Sequence, residues 1–319
     1  MSDYTIHKLK NTEFSLLVPL MKNCFGINVN INFFEWKFKH NPSGFVEGYY
    51  AKDRDGEVAA YYGAIPETYI IEGEKRIIYQ SCDTMTHSNH RRKGLFQKLA
   101  VHCYEELEKE NRLFLIGFGG GQSTPGFLKF GWKKVFDTKY YFYPRIFNLF
   151  RSGKFKNISR ISDYSTIEHL TIQSNKRSLI HSYKSAEIYS WRVSNPLQEY
   201  QTFAVKDDKG TYNSYITYCI EVDKIVLFDF YIQNIKLGDQ LLNYLKSLLT
   251  KKHKGIVSLM QENSEFSKKI RKYNFISNPF KKGPLSEKTP FIFYANEGDL
   301  VKYNKKLNWE INSFDHDSA

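Results

Sequence analysis

A chain of 319 residues with 41% hydrophobic and 16% aromatic content is long enough for two domains, each burying its own core. Its apolar runs fall short of the roughly 18 residues that a membrane helix needs, and its first residues lack a signal-peptide core, so a cytoplasmic protein with no membrane partner is expected. The net charge of +12 raises nucleic acid as a partner, but the lysines are spread along the chain without a helix-turn-helix or stacking motif, and anionic small molecules fit better.

In chain order, residues 5 to 10 read as a short strand and 12 to 25 as a helix carrying Phe14, Leu17, Val18, Leu20 and Met21 near one face. A second helix through Phe33, Trp36 and Phe38 stops at Asn41-Pro42, where the residue before proline is pushed out of the helical region. Two hairpins follow. Strands at 49 to 52 and 58 to 64 flank Asp53-Arg54-Asp55-Gly56, and strands at 67 to 71 and 77 to 86 flank Glu72-Gly73-Glu74. The second hairpin runs through Thr84, Met85 and Thr86 into a basic loop, Arg91-Arg92-Lys93-Gly94, and then into a helix with Leu95, Leu99, Cys103 and Leu107 on one stripe. Backbone N–H groups at such a helix start, backed by three cations, form an anion site suited to a pyrophosphate, and a side chain at position 94 would block its approach. His87 and His90 flank it as loop or cofactor contacts. A strand at 113 to 118, the run Gly119-Gly120-Gly121-Gln122, a turn through Phe127 to Trp132 and a last strand at 133 to 143 complete the first half. Cys24, Cys82, Cys103 and Cys219 have no C-x-x-C spacing, which argues against zinc and against a disulfide framework, and no metal site is expected.

The second half repeats the first. Trp191 stands for Trp36, Asn195-Pro196 for Asn41-Pro42, Lys206-Asp207 for Lys52-Asp53 and Gly210 for Gly56. Asn234-Ile235-Lys236-Leu237-Gly238 stands where the basic loop would be, with one cation in place of three, so the anion site is expected in the first copy alone. Domains at 1–150 and 151–319 are expected, with 151 to 180 as the junction and the aromatic and acidic tail contributing to the acceptor site.

Arg91-Arg92-Lys93-Gly94-Leu95-Phe96 resembles the R/Q-x-x-G-x-G/A loop of the GNAT superfamily of acyl-CoA-dependent N-acetyltransferases, and Phe127 to Trp132 resembles that family's later Tyr-x-x-x-Gly-Phe segment. The resemblance implies an α/β fold: two tandem GNAT-like domains, each a twisted, mostly antiparallel sheet with one splayed parallel strand pair, flanked by helices. It implies that acetyl-CoA binds along Thr84, Met85 and Thr86, with pyrophosphate on Arg91, Arg92, Lys93, Gly94, Leu95 and Phe96. It also implies direct attack of an amine on the thioester. The expected acceptor is a small molecule such as an amino sugar or nucleotide-linked amino sugar. Two departures stand out: Phe96 replaces Gly or Ala, and Phe127 replaces the tyrosine that commonly protonates the leaving thiolate. Asp83, in the central strand, is the first candidate for the base, with Glu67, His87 and the tail residues Asp315 and Asp317 as alternatives. Asp83 could instead serve only local hydrogen bonds. Transfer to protein or aminoacyl acceptors, and a non-catalytic CoA-binding role kept open by Phe127, are the competing readings.

Overall fold

The computed structural model describes residues 3–120, 123–148, 155, 157–174, 179–278 and 285–316. Gly121, Gln122, Asp317 and part of the junction at 151 to 180 lie outside the described residues. In chain order the elements begin with β1 (Thr5–Lys8), α1 (Leu17–Phe25), α2 (Ile31–Phe34), β2 (Glu47–Lys52), β3 (Val58–Ile71), β4 (Glu74–Thr86), α3 (Leu95–Lys109), β5 (Phe114–Phe118) and α4 (Thr124–Lys129). They continue with β6 (Lys133–Pro144), β7 (Ile158–Arg160), α5 (Ser165–Ser174), β8 (Ile180–Ser182), α6 (Ala186–Val193), β9 (Tyr200–Lys206), β10 (Tyr212–Ile220) and β11 (Lys224–Ile232). The last are α7 (Ile235–Ser247), β12 (Gly255–Gln261), α8 (Glu265–Arg271), β13 (Ile276–Ser277), β14 (Lys288–Ala295), α9 (Glu297–Tyr303) and β15 (Trp309–Glu310). The fold is a mixed α/β one, with parallel and antiparallel strands and flanking helices. No helix among the described residues is long and apolar enough to cross a membrane.

Two units divide the chain, and neither is continuous in sequence. The first comprises Met1–Val135, Asn195–Leu197 and Phe291–Lys305, and the second Phe136–Ser194, Gln198–Pro290 and Lys306–Ala319.

In the first unit β1, β2, β3 and β4 are antiparallel neighbours, β4 and β5 are parallel, and Phe291–Ala295 of β14 runs antiparallel on β5. Local chemistry makes the turns: Asp53 Oδ1 accepts the Asp55 and Glu57 N–H groups, and Gly56 takes a φ of +85°. The predicted stripe of α3 is fully used, since Leu95, Leu99, Cys103 and Leu107 all pack with Tyr62, Leu115, Phe127, Trp132 and Ile292. The helix expected around Phe33 to Phe38 starts as α2 and finishes as a π turn, Glu35–Lys39. That widened turn buries Trp36, Lys37 and Phe38 in succession, which one face of a regular α-helix would not do.

The second unit carries a comparable set of ladders. β7, β9, β10 and β11 are antiparallel neighbours, β11 and β12 are parallel, and β6 runs antiparallel on β12. The strand expected at 133 to 143 is therefore present, and its ladder lies in this unit from Thr138↔Gln261 to Pro144↔Gly255. The parallel pairing of β11 with β12 covers Lys224↔Gly255 to Val226↔Val257, after which the strands separate. The segment 311 to 316 fills that gap: Gln261 N–H donates to Ile311 O (3.1 Å), Met260 bridges to Asn312, and Ser313 Oγ accepts from Leu259 N–H (2.8 Å) and donates to Leu259 O (3.0 Å). Across the gap Asn312 Nδ2 donates to Asp229 Oδ1 on β11 (3.1 Å).

Candidate active site

In the first unit the parallel ladder of β4 and β5 is two residue pairs long, Tyr79↔Leu115 and Gln80↔Ile116. Past that point β4 continues its ladder with β3 as far as Thr86↔Ala60, so residues 81 to 86 carry one edge that is outside the β5 ladder. Such an edge offers N–H and C=O groups to an extended ligand. The backbone alternates along a strand: His87 N–H donates to Ala59 O on the β3 side, which turns the Thr86 N–H away from β3, where it meets the Cys24 thiol. Thr84 and Thr86 are half-buried and Met85 is buried.

A bulge interrupts β4 beside this edge. Cys82 pairs with Gly63 and Met85 with Tyr61, so three steps on β4 match two on β3, and Asp83 within the bulge takes a φ of +46°. The π turn places the Lys37 ammonium 2.8 Å from Asp83 Oδ2, with the two side chains only 2% and 10% exposed. The Tyr61 ring lies alongside, wedged between two glycines: a Cβ at Gly48 or Gly63 would come within 2.8 or 2.4 Å of its hydroxyl oxygen. Complete burial pushes the Tyr61 hydroxyl pKa well up, and Asp83 adds to the rise. Lys37 and Tyr61 were not candidates from sequence; the only trace of Lys37 was a lysine set among aromatic residues.

The basic loop follows directly. Ser88–His90 forms a 3-10 turn, tied to the end of α1 by Ser88 N–H donating to Asn23 Oδ1 (2.9 Å). The Cys24 thiol lies near Thr86 and Arg91, and burial pushes its pKa up. Arg91, Arg92 and Lys93 are exposed. Arg92 and Gly94 take left-handed φ values of +63° and +73°, and no side chain caps the first turn of α3. Open space surrounds the position that a Cβ on Gly94 would take. These features fit a bound diphosphate: a positive helix end, free approach and three cations at its rim. Leu95 is buried in the α3 core, and Phe96 packs on Phe127 (5.1 Å between centroids) and Phe130 (5.8 Å). The departure at position 96 is thus accommodated by turning the ring into the α4 side, away from the loop's backbone.

The structure does not bring all the candidate acids together. Glu67 is buried on β3 opposite Ile78, five residues along β4 from Asp83, or roughly 16 Å at strand rise. Asp315 belongs to the second unit, where it is 4% exposed and its carboxylate accepts the Asn312 N–H (2.8 Å) in a capping box. Phe127 has no hydroxyl and is buried beside Trp132. A cavity of about 440 Å³ lies at the opposite end of β4, lined by Arg76, Tyr79, Arg112 and Asn296 among others. Its arginines already face Asp299 (3.6 Å) and Glu47 (3.4 Å).

The second unit differs at the corresponding helix start. Asn234 caps α7, its Oδ1 accepting the Lys236 and Leu237 N–H groups at 2.9 and 3.3 Å. Gly238 is enclosed, with Ile232 and the Tyr273 hydroxyl within 2.6 Å of where a Cβ would stand.

Residues 5–135 match the family model of the acetyltransferase (GNAT) domain. No curated protein sequence matches the chain. Among solved structures, a conserved protein of Enterococcus faecalis V583 described as a probable N-acyltransferase is similar at 11% identity and a TM-score of 0.69, over 92% of this chain and 72% of that one. A GCN5-related N-acetyltransferase of Anabaena variabilis is similar at 10% identity and 0.66, over 91% and 72%. Saccharomyces cerevisiae N-myristoyltransferase, solved with bound myristoyl-CoA, is similar at 12% identity and 0.61, over 92% and 79%. At such identities the likeness is one of fold.

Proposed function

From residues 5–135 as a GNAT acetyltransferase domain, and so from the chain as an acyltransferase, we propose that it transfers an acetyl group from acetyl-CoA to the amine of a small molecule, of the amino-sugar class. The observation that carries this reading is the uncapped start of α3, with Gly94 open and Arg91, Arg92 and Lys93 exposed, next to the stretch of β4 that lies outside the β5 ladder. Bound acetyl-CoA would supply an activated thioester. The N–H groups at 94 to 96 and the three cations hold its diphosphate, and the Thr84 and Thr86 backbone holds its pantetheine arm. The Thr86 N–H, which meets the Cys24 thiol here, would have to turn to the thioester to polarise its carbonyl oxygen. An ammonium must lose a proton before nitrogen can attack, and the Asp83 carboxylate accepts it while Lys37 fixes its orientation. The new C–N bond replaces the C–S bond, and water protonates the departing thiolate, since Phe127 has no proton to give.

We read the second unit as a second copy that has lost its cofactor. The Asn234 cap fills the helix start, and the tail occupies the gap between β11 and β12. The fold likeness to a myristoyltransferase supports a second reading, in which the acyl chain is longer and the acceptor a peptide amine.

Thermal shift with acetyl-CoA, followed by thiol release assayed with a panel of amino sugars, amines and N-terminal peptides and with acetyl-, octanoyl- and myristoyl-CoA, tests these readings. Saturable stabilisation lost in Gly94→Ala, with turnover on an amino sugar, is the expected result. Turnover confined to long acyl chains and peptides would establish the second reading, and binding without turnover on every acceptor would leave a CoA-binding protein.

A further inference from the structure

A second cluster of chemically able side chains sits on the first unit just before the basic loop, and the transfer reaction makes no use of it. Glu57, at the start of β3, faces His87 and His90 on the 3-10 turn after β4: His87 Nε2 lies 3.7 Å from Glu57 Oε1, and His90 Nε2 lies 3.6 Å from Glu57 Oε2. Asp53 Oδ2 lies 3.8 Å from the same His90 nitrogen. One donor atom from each of Glu57, His87 and His90 falls within 4.8 Å of the others. In a tetrahedral site with metal–nitrogen and metal–oxygen bonds of about 2.0–2.2 Å, neighbouring donors stand about 3.3–3.6 Å apart. The His–carboxylate spacings of 3.6–3.8 Å need a contraction of a few tenths of an ångström, and a donor pair at the 4.8 Å limit would have to close by about an ångström.

The outer contacts match as well. His90 is 9% exposed at its side chain, and its Nδ1 lies 2.9 Å from the Tyr4 hydroxyl, which can accept an Nδ1–H and leave the Nε2 lone pair pointing at the carboxylates. Asp53 has its other oxygen committed to the Asp55 and Glu57 N–H groups, so Oδ2 is held in place. His87 Nδ1 accepts a 3.3 Å bond from Asn89 N–H, so its ring would have to change tautomer to offer Nε2 to a metal ion. Two imidazoles with one or two carboxylates form a borderline donor set suited to zinc and poorly suited to magnesium or calcium, which prefer all-oxygen shells.

We propose that Glu57, His87 and His90 bind a divalent transition-metal ion of the zinc class, with Asp53 as the fourth ligand. The ion would join the β2–β3 turn to the segment that enters Arg91 and so hold the basic loop in one conformation. The proposal is independent of the acyl-transfer reading.

The test uses the full chain, free of any histidine tag and stripped with chelator. Calorimetric titration with Zn²⁺ is expected to give one saturable ion per chain, and Co²⁺ the visible absorption of a tetrahedral site. In His87→Gln/His90→Gln the affinity should fall by about tenfold or more and the Co²⁺ absorption should vanish. Should that variant unfold, Glu57→Gln, altered at a half-exposed carboxylate, is expected to weaken Zn²⁺ binding with an unchanged metal-free melting temperature. Absence of saturable binding, or equal affinity in wild type and whichever variant folds, would overturn the site and leave the cluster as ion pairs only.

Discussion

Lys37 and Asp83 show how one contact sets the properties of a site. Removing one member of a buried ion pair strands the other charge, at a cost of about 3–5 kcal/mol, whereas replacing both is far milder. Lys37→Met should therefore lower stability in urea by about that amount, and Asp83→Asn/Lys37→Met should recover most of it. If Asp83 is the base, the recovered double variant will bind acetyl-CoA normally and still lose turnover by about a hundredfold or more; retained turnover would eliminate Asp83. Tyr61 gives a second prediction. Its hydroxyl is fully buried with no hydrogen-bond partner among the described residues, and Gly48 and Gly63 leave it the room that a Cβ would take. Tyr61→Phe should therefore raise stability by about 1 kcal/mol. Gly63→Ala should cost about 1–3 kcal/mol in wild type and less in the Tyr61→Phe background, a difference that thermal melts of the four proteins will show.

At the level of elements, the two helix starts make opposite use of the same geometry. α3 leaves its first N–H groups uncapped behind Gly94, and α7 closes its own with Asn234. Gly94→Ala meets no neighbouring atom, so its structural cost is limited to the left-handed φ, about 1 kcal/mol. CoA affinity should fall more than that, by tenfold or beyond, because the methyl group enters the space meant for phosphate. Asn234→Ala should destabilise by about 1 kcal/mol through the lost cap and leave CoA binding unchanged. Calorimetry and thermal melts on both variants separate an anion site from a cap.

At the level of the whole molecule, β5 of the first unit is paired by a strand from near the other end of the chain. Phe291–Ala295 pairs with β5, and Ile292 enters the core beneath α3. A fragment of residues 1–150 would expose β5 as a bare apolar edge, so it should aggregate or stay unfolded on expression, as gel filtration and circular dichroism would show. The strands, turns and α3 stripe of the first half were legible because hydrophobic period and turn chemistry act over a few residues. So was the basic loop with Gly94, whose conformation depends on its own φ. The repeat read from Trp36 and Trp191 or Gly56 and Gly210 remains a reading of the sequence. What the chain's local pattern determined is the kind of each element and the chemistry of one loop. Only the tertiary structure decided that β6 pairs with β12 and β14 with β5, that a π turn brings Lys37 to Asp83, that Asp315 caps its own turn, and that the tail fills the gap of the second unit. Strand edges and buried charges choose partners by complementarity across the folded chain, and nothing local in residues 291 to 295 names β5 as their partner.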